Sequence, residues 1–316
     1  MKIVITGALG HIGSAFIHSI TPGQYDKVLL VDNLSGERYS SLFNLPAGVS
    51  YQFIQDDIRT GDLDRLFQGY DAVIHLAAIT NAAESFEIAA LVHEVNFEGT
   101  RRVAEACART GVKMLFLSTT SVYGTQREVV DEMCSVEELK PQSPYAASKL
   151  QAEQLLKSMG EESGLQFVTV RFGTVFGKSV GMRFHTAINK FCWQASTARP
   201  ITVWRTAMHQ KRPYLHVSDA VRALHFILER SLFDRGLYNV VGTTAAVIDI
   251  LDVIRSVIPK TDVQLVDSKI MNQLSYTVLA ERFKAHGFTS RDNLRGGVEE
   301  TLDLLRALHW TAPGNQ

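Results

Sequence analysis

The chain has 316 residues, of which 46% are hydrophobic and 21% charged, the proportions of an ordinary globular protein. Its formal net charge of −1 argues against a surface that binds nucleic acid or membranes, so we expect neither as a partner. The three cysteines, Cys107, Cys134 and Cys192, are far apart and form no C-x-x-C pair. They indicate neither a disulfide framework nor a zinc site, and we expect no metal. The sequence opens on a strand pattern and has no apolar run of about 18 residues, so we expect it to remain in the cytoplasm.

Short apolar runs alternate with helical patterns through the first half of the chain. The runs predicted as strands are Ile3–Ile5, Val28–Val31, Tyr51–Ile54, Ala72–Leu76, Met114–Leu117 and Phe167–Val170. The stretches predicted as helices are Ile12–Ile20, Leu63–Phe67, Ile88–Ala108 and Pro144–Met159. The strand runs are almost continuously apolar, as is typical of parallel strands that are covered on both faces. The alternation predicts an α/β protein with a Rossmann-type, doubly wound parallel sheet.

The turn between the first predicted strand and helix carries three glycines, Gly7, Gly10 and Gly13. Gly7 permits the sharp turn, Gly10 lets the backbone approach a pyrophosphate, and Gly13 lets the helix pack closely on the strand. The helix N-terminus then offers N–H groups and a positive dipole end to the phosphates. Asp32 follows the second strand, where a carboxylate accepts hydrogen bonds from the adenosine ribose and repels a 2′-phosphate. These features predict that the chain binds NAD rather than NADP.

The segment from Ser143 to Lys149 predicts a helix start with a reactive pair. Ser143 is a good N-cap and Pro144 a good first helical residue. Tyr145 lies in the first turn, and Lys149 is four residues further on, so the two side chains share one helix face. An ammonium and a positive helix end both favour the phenolate, and a lowered pKa would make Tyr145 a general base near neutral pH.

The pattern becomes irregular after about residue 173. The elements predicted there are a helix over Phe184–Ala195, strands over Ile201–Trp204 and Tyr214–Val217, and amphipathic helices over Val217–Leu228 and Val298–Leu308. We therefore predict two units that pack together. An NAD-binding Rossmann domain comprises residues 1–173 and about 213–243, and a smaller, mixed α/β substrate lobe comprises about 174–212 and 244–316.

Several short motifs, taken in order, resemble those of the extended short-chain dehydrogenase/reductase superfamily. Within it the chain is similar to the NAD-dependent sugar epimerase/dehydratase family, of the UDP-glucose 4-epimerase type. The matching motifs are Gly7-x-x-Gly10-x-x-Gly13, Asp57-Ile58, His75-Leu76-Ala77-Ala78, Asn96 in Val95–Thr100, Ser118-Thr119 before Val122-Tyr123-Gly124, and Tyr145-x-x-x-Lys149.

The resemblance implies roles for residues along the cofactor. Asp57 and Ile58 would contact the adenine, Leu76, Ala77 and Ala78 would line the cofactor cleft, and Lys149 would also bind the nicotinamide ribose. The remaining expected cofactor contacts are His11, Ile12, Asn33, Asn96, Ser118, Tyr145 and Phe172, although a lone histidine at the position of His11 is not in itself a ligand signal.

The resemblance also implies contacts to a nucleotide-sugar substrate. Thr119 matches the position that hydrogen-bonds the reacting hydroxyl, with Ser118 and Thr120 as close competitors. Arg212 matches an arginine that commonly holds the substrate diphosphate, for which a guanidinium is suited. Thr174 stands where the family often has a substrate-contacting asparagine, which leaves the substrate less defined. Ser85 and Tyr123 are further candidates to touch the sugar.

The residues after Thr119 favour one reaction within the family. Dehydratases and decarboxylases of the family usually carry an acid there, whereas this chain has Thr120 and Ser121. The working hypothesis is a nucleotide-sugar epimerase that acts through a transient keto sugar, at C4, with Thr119, Tyr145 and Lys149 as catalytic residues. The alternatives are a sugar dehydrogenase or 4-keto-sugar reductase, and a non-enzymatic NAD-binding regulatory protein. By resemblance we also expect a homodimer formed by the helices over Ile88–Ala108 and Pro144–Met159.

Overall fold

The computed structural model describes residues 1–124, 127–267, 275–291 and 293–305. The strands of the described chain are β1 (Lys2–Thr6), β2 (Lys27–Asp32), β3 (Tyr51–Gln55), β4 (Ala72–His75), β5 (Lys113–Thr119), β6 (Val129–Val130), β7 (Phe167–Phe172), β8 (Thr174–Phe176), β9 (Ile201–Trp204), β10 (Arg212–His216), β11 (Leu237–Val240), β12 (Thr243–Ala245), β13 (Val263–Val266) and β14 (Thr277–Val278). The helices are α1 (His11–Ser19), α2 (Leu63–Phe67), α3 (Ala89–His93), α4 (Gly99–Thr110), α5 (Pro144–Glu162), α6 (Ala187–Ser196), α7 (Val217–Arg230), α8 (Val247–Val257), α9 (Glu281–Ala285) and α10 (Leu294–Leu305).

Seven parallel strands form the main sheet, in the order β3–β2–β1–β4–β5–β7–β11. Their side chains alternate between two cores. Ile5 packs with Phe16 of α1 and Leu224 of α7, whereas its neighbour Val4 faces the other core, with Leu156 of α5. The sheet is therefore covered by helices on both faces, which confirms the predicted Rossmann-type α/β class. From β1 the chain builds the sheet outward through β2 and β3, and it then returns to place β4 on the other side of β1. Folds of this kind form a ligand crevice at the point, between β1 and β4, where the strand order changes side.

A second, smaller core lies beyond the carboxyl ends of these strands. It includes Phe191 of α6, Ile250 of α8 and Leu302 of α10. Beside it, β10 pairs with β8 and β12 in a three-stranded sheet, and β9 pairs with β13. In the described chain, no helix is both long enough and apolar enough to cross a membrane.

Three local features differ from the sequence predictions. The edge strand β11 was not expected, because it is only four residues long and contains a polar residue, Asn239. The long helix expected over Ile88–Ala108 is interrupted by a π-helical segment, Glu94–Glu98, which joins α3 to α4. The helix expected over Val298–Leu308 begins earlier, at Leu294, and residues 306–308 lie outside the described chain.

Candidate active site

A cavity of about 460 Å³ lies outside the carboxyl ends of β1, β4, β5 and β7, against the smaller core. Of the residues singled out from the sequence, those that line it are Gly7, Gly10, His11, Ile12, Gly13, Leu76, Ala78, Ser118, Thr119, Thr120, Tyr145, Phe172, Thr174 and Arg212. A larger cavity of about 890 Å³ lies between α1 and α7, and its described lining includes none of the predicted site residues. The fold thus brings the glycine loop, the end of β5 and the start of α5 into one crevice.

The glycine loop leaves no room for side chains on its sheet side. Gly7 has φ +68°, and a Cβ there would lie 2.5 Å from the backbone nitrogen of Ala77. A Cβ on Gly13 would lie 2.4 Å from the carbonyl oxygen of Ala8. Helix α1 starts after Gly10 with no side-chain cap, so its N-terminus can face a ligand. This cradle fits the diphosphate of a dinucleotide.

Hydrogen bonds to Asp32 hold the glycine loop against the end of β2. Its carboxylate accepts hydrogen bonds from the backbone N–H groups of Leu9, at 3.1 Å, and Leu34, at 2.9 Å. The side chain is only partly buried, so it retains acceptor capacity for a ribose hydroxyl at this position.

Asp57 is held within a small network beyond the cavity. Its carboxylate accepts hydrogen bonds from Asn33 at 3.0 Å and from Arg59 at 2.9 and 3.0 Å. The Arg59 guanidinium holds the pKa of this carboxyl well below its usual range. The neighbouring Ile58 is buried in the α2–α4–α5 core. Neither residue lines the described cavity, nor does Asn33, so their contacts to the adenine stay a prediction.

Asn96, on the π-helical segment, serves to position two other elements. Its fully buried amide accepts from the Ile79 N–H at 2.8 Å, and donates to the Ile79 carbonyl at 2.9 Å and to the Ser148 hydroxyl at 3.2 Å. The loop after β4, which includes Ala77 and Ala78, is thereby tied to α5. The structure therefore places Asn96 as a support of the crevice wall rather than in its lining.

Tyr145 and Thr119 both line the cavity, and the Thr119 hydroxyl is close enough to act on the pKa of Tyr145. The predicted helix start is confirmed, because Ser143 caps α5 by accepting from the Ala146 N–H at 3.2 Å. Burial raises the pKa of Tyr145, and the charge of Arg183 and the Thr119 hydroxyl act against that rise. A role of Tyr145 as general base therefore requires further positive charge near the phenol.

The Lys149 ammonium is buried against the end of β5. Its Nζ donates to the Leu117 carbonyl at 2.8 Å and stands 4.8 Å from the centre of the Phe116 ring. Burial lowers the pKa of Lys149 to about 7, against the opposing charge of Glu153. The charge that opposes the raised pKa of Tyr145 in this arrangement is that of Arg183, so the expected effect of Lys149 on Tyr145 stays a prediction.

Two residues expected to touch the sugar lie outside the cavity lining. Tyr123 is fully buried, and its hydroxyl donates to Asn239 at 3.0 Å. Ser85 is also fully buried, and its hydroxyl donates to the Ala82 carbonyl at 2.7 Å. Both hydroxyls are thus engaged within the protein, so contact with a sugar would require them to exchange partners.

The cavity lining is basic. Arg212, which the sequence assigned to a diphosphate, lines it with the guanidinium 5.6 Å from the centre of the Tyr276 ring. Sequence reasoning missed four further basic residues of the lining, Arg38, Arg183, His185 and Lys190. They stand in irregular segments or, for Lys190, on a helix with no recognisable motif. Over the part of the chain that the structure describes, no aspartate or glutamate lines the cavity.

Comparison with known proteins places the chain among nucleotide-sugar enzymes. Residues 3–240 match the family described as "NAD dependent epimerase/dehydratase family". An uncharacterized UDP-glucose epimerase, YtcB, of Bacillus subtilis is 28% identical over 98% of this chain and 99% of its own length. A dTDP-glucose 4,6-dehydratase of Streptomyces niveus is 31% identical over 72% of this chain and 69% of its own length. The chain spans about half of the trifunctional dehydratase/epimerase/reductase proteins of Arabidopsis thaliana that it matches, 46% of one of them.

Among solved structures, the UDP-glucuronic acid 4-epimerase of Bacillus cereus in complex with NAD superimposes with a TM-score of 0.83. It is 25% identical to this chain, and the match covers 98% of this chain and 100% of that one. The common fold therefore extends over both the main sheet and the smaller core.

Proposed function

The chain belongs to the NAD-dependent epimerase/dehydratase family, and from this we propose that it is a nucleotide-sugar 4-epimerase. The observation that carries the choice is the described cavity lining, which contains Thr119 and Tyr145 but no carboxylic acid. Dehydration needs a group that delivers a proton to the departing hydroxyl, and a carboxylic acid is the usual donor. Epimerisation needs only a proton shuttle at the reacting oxygen.

The proposed chemistry centres on the Tyr145 phenol. NAD, when bound, supplies the acceptor and later the donor of a hydride. Tyr145 would have to be a phenolate when the sugar binds, because only the ionised form can take the proton of the C4 hydroxyl. Thr119, which lines the same cavity, would orient that hydroxyl. After the keto sugar has turned, Tyr145 would return the same proton to the carbonyl oxygen and so become a phenolate again. Atoms and electrons balance over one turnover, with no net oxidation.

The basic residues of the lining fit a doubly charged substrate that must move. Arg212 would hold the diphosphate, and Lys190 would add a second positive charge to the lining. The diphosphate is attached at C1, across the ring from C4, so it can stay fixed while the sugar rotates. The relatives named as UDP-sugar epimerases support this assignment, and the dehydratase relatives mark the main alternative.

The decisive experiment is incubation with UDP-, dTDP- and GDP-sugars, with NMR analysis of the products. We expect two epimers at equilibrium without added NAD. Loss of water from the sugar would assign the chain to the dehydratases. Steady net reduction of added NAD would show a dehydrogenase instead.

We also propose that the protein is a homodimer through α3, α4 and α5. These helices lie against one another, and apolar Leu91 on α3 is 40% exposed. Joining such faces from two copies would bury that apolar surface. Sedimentation at micromolar concentration tests the proposed homodimer, and a protein that sediments as a monomer would contradict it.

A further inference from the structure

Three buried polar atoms of the cavity lining have no hydrogen-bond partner within the part of the chain that the structure describes. They are Nε2 of His11, Nε of Arg183 and Oγ1 of Thr186, and all three residues line the same cavity. Buried polar groups in folded proteins are nearly always paired, because an unmade bond costs about 1–3 kcal/mol. Three such atoms in the lining of one cavity therefore point to a bound group that they contact.

Arg183 and Thr186 reach the same cavity as His11 because a loop of the smaller lobe packs against the glycine loop. The loop runs from Lys178 to Thr186, between β8 and α6. Ser179 shares a hydrogen bond of 2.7 Å with Nδ1 of His11, and the Gly181 N–H donates to the Ser14 hydroxyl at 2.8 Å. Arg183, on the same loop, donates to Thr80 at 2.5 Å.

The basic side chains near His11 favour an anion as the bound group. Arg38 approaches the glycine loop, with a guanidinium nitrogen 4.0 Å from where a Cβ on Gly10 would be. Arg38, Arg183 and His185 are close enough to His11 to act on its ring, and together with burial they lower the pKa of His11 to about 3. His11 is therefore neutral. In the tautomer whose proton is on Nε2, Nδ1 accepts from Ser179 and Nε2 is a donor that faces a ligand.

We propose that the 178–186 loop is a clasp over the cofactor, in which His11, Arg183 and Thr186 bind the diphosphate of NAD. The glycine loop supplies one side of this diphosphate site, and Arg183 and Thr186 supply the other side from the smaller lobe. A ligand held from both lobes leaves only when the loop undocks, so the clasp retains NAD from one turnover to the next. The proposal rests on NAD as cofactor and not on epimerisation, since a dehydratase would use the clasp equally.

The test measures NAD retention with no sugar present. Wild-type protein, Arg183→Met, Arg183→Lys and Thr186→Val are purified, their bound NAD is quantified, and its release is followed after dilution into an NAD-trapping enzyme. We expect Arg183→Met to release NAD about tenfold faster or more, with partial recovery in Arg183→Lys and a smaller effect in Thr186→Val. Arg199→Met, an exposed change on the same lobe, controls for the loss of an arginine.

Two results would overturn the clasp. In the first, Arg183→Met keeps NAD as the wild type does but raises the KM for a nucleotide sugar, so that Arg183 binds an anionic group of the substrate. In the second, neither NAD release nor KM changes. Thermal unfolding of each variant shows whether it is folded. If NAD release changes as expected while no sugar is epimerised, the clasp stands and the proposed reaction fails.

Discussion

The carboxylate of Glu153 and the guanidinium of Arg171 form a two-pronged ion pair inside the protein, with nitrogen–oxygen distances of 2.6 and 2.9 Å. Their side chains are only 6% and 4% exposed. Glu153 lies one turn after Lys149 on α5 and also accepts a hydrogen bond of 2.5 Å from Ser118 at the cavity wall. The pair therefore joins β5, β7 and α5 directly behind the site.

Breaking one side of this ion pair should be costly. In Arg171→Met the Glu153 carboxylate stays buried without its partner, and we expect the free energy of unfolding to fall by about 3–5 kcal/mol. Adding Glu153→Gln removes the stranded charge and should recover part of that loss. Chemical denaturation of the two single variants and the double variant measures both effects. A loss below about 1 kcal/mol in Arg171→Met would contradict the buried-pair interpretation.

Tyr145→Phe should nearly abolish turnover while leaving the fold intact. The substitution removes the hydroxyl proposed to carry the proton beside Thr119, so we expect kcat to fall by about 10²–10⁴-fold. Product formation is followed by NMR, and bound NAD is measured in the same samples. Tyr39→Phe, at a side chain that is 52% exposed, is the matched control. Undiminished biological activity of Tyr145→Phe would favour a binding or regulatory protein.

Gly13→Ala should disrupt the dinucleotide cradle. The new methyl group would lie 2.4 Å from the backbone oxygen of Ala8, which cannot move without shifting β1 relative to α1. We expect a loss of bound NAD and a lower melting temperature. Gly296→Ala, in α10, meets only the Asn293 side chain at 3.5 Å and should be neutral or stabilising. Equal melting temperatures and NAD contents for the two variants would refute the steric argument.

His75 should make stability depend on pH in the acid range. Its ring bonds Thr6 at 2.7 Å and Thr100 at 2.9 Å, and burial lowers its pKa from 6.5 to about 3. The unfolded chain takes up the proton first, so stability is lost as the pH falls from about 6.5 towards 3. His75→Asn should reduce the slope of unfolding free energy against pH by about 1.4 kcal/mol per unit.

Urea unfolding between pH 4 and 7 measures this slope, with His209→Asn, an exposed change, as control. A slope in His75→Asn equal to that of the wild type would show that another group is responsible.

The parts of the site that could be predicted are those whose local sequence fixes their geometry. The turn at Gly7 and the cap at Ser143 are read from a few adjacent residues, and the structure places both next to the cavity. Arg38 and Arg183 could not be found in this way, because they reach the cavity from irregular segments far apart in the chain. The contacts of Lys149 could not be predicted for a similar reason, since a helix spacing cannot show that its Nζ donates to the Leu117 carbonyl.

The main sheet was likewise predictable only where each strand is a clear apolar run. Six of its strands are such runs, whereas β11 is short and is held as a strand by pairing with β7. Pairing with β7, rather than the β-propensity of its own residues, thus makes β11 a strand.

The position of β11 has a consequence for how the protein is made. Strand β7 ends at Phe172, and its outer edge is covered only when β11, ending at Val240, takes its place beside it. A ribosome adds the 68 residues from Gly173 to Val240 over several seconds, at about 5–20 residues per second. Throughout that interval the nascent chain carries an apolar strand with an open edge. Synthesis of this enzyme therefore includes a fixed period of exposure to aggregation, set by the distance in sequence between two neighbouring strands.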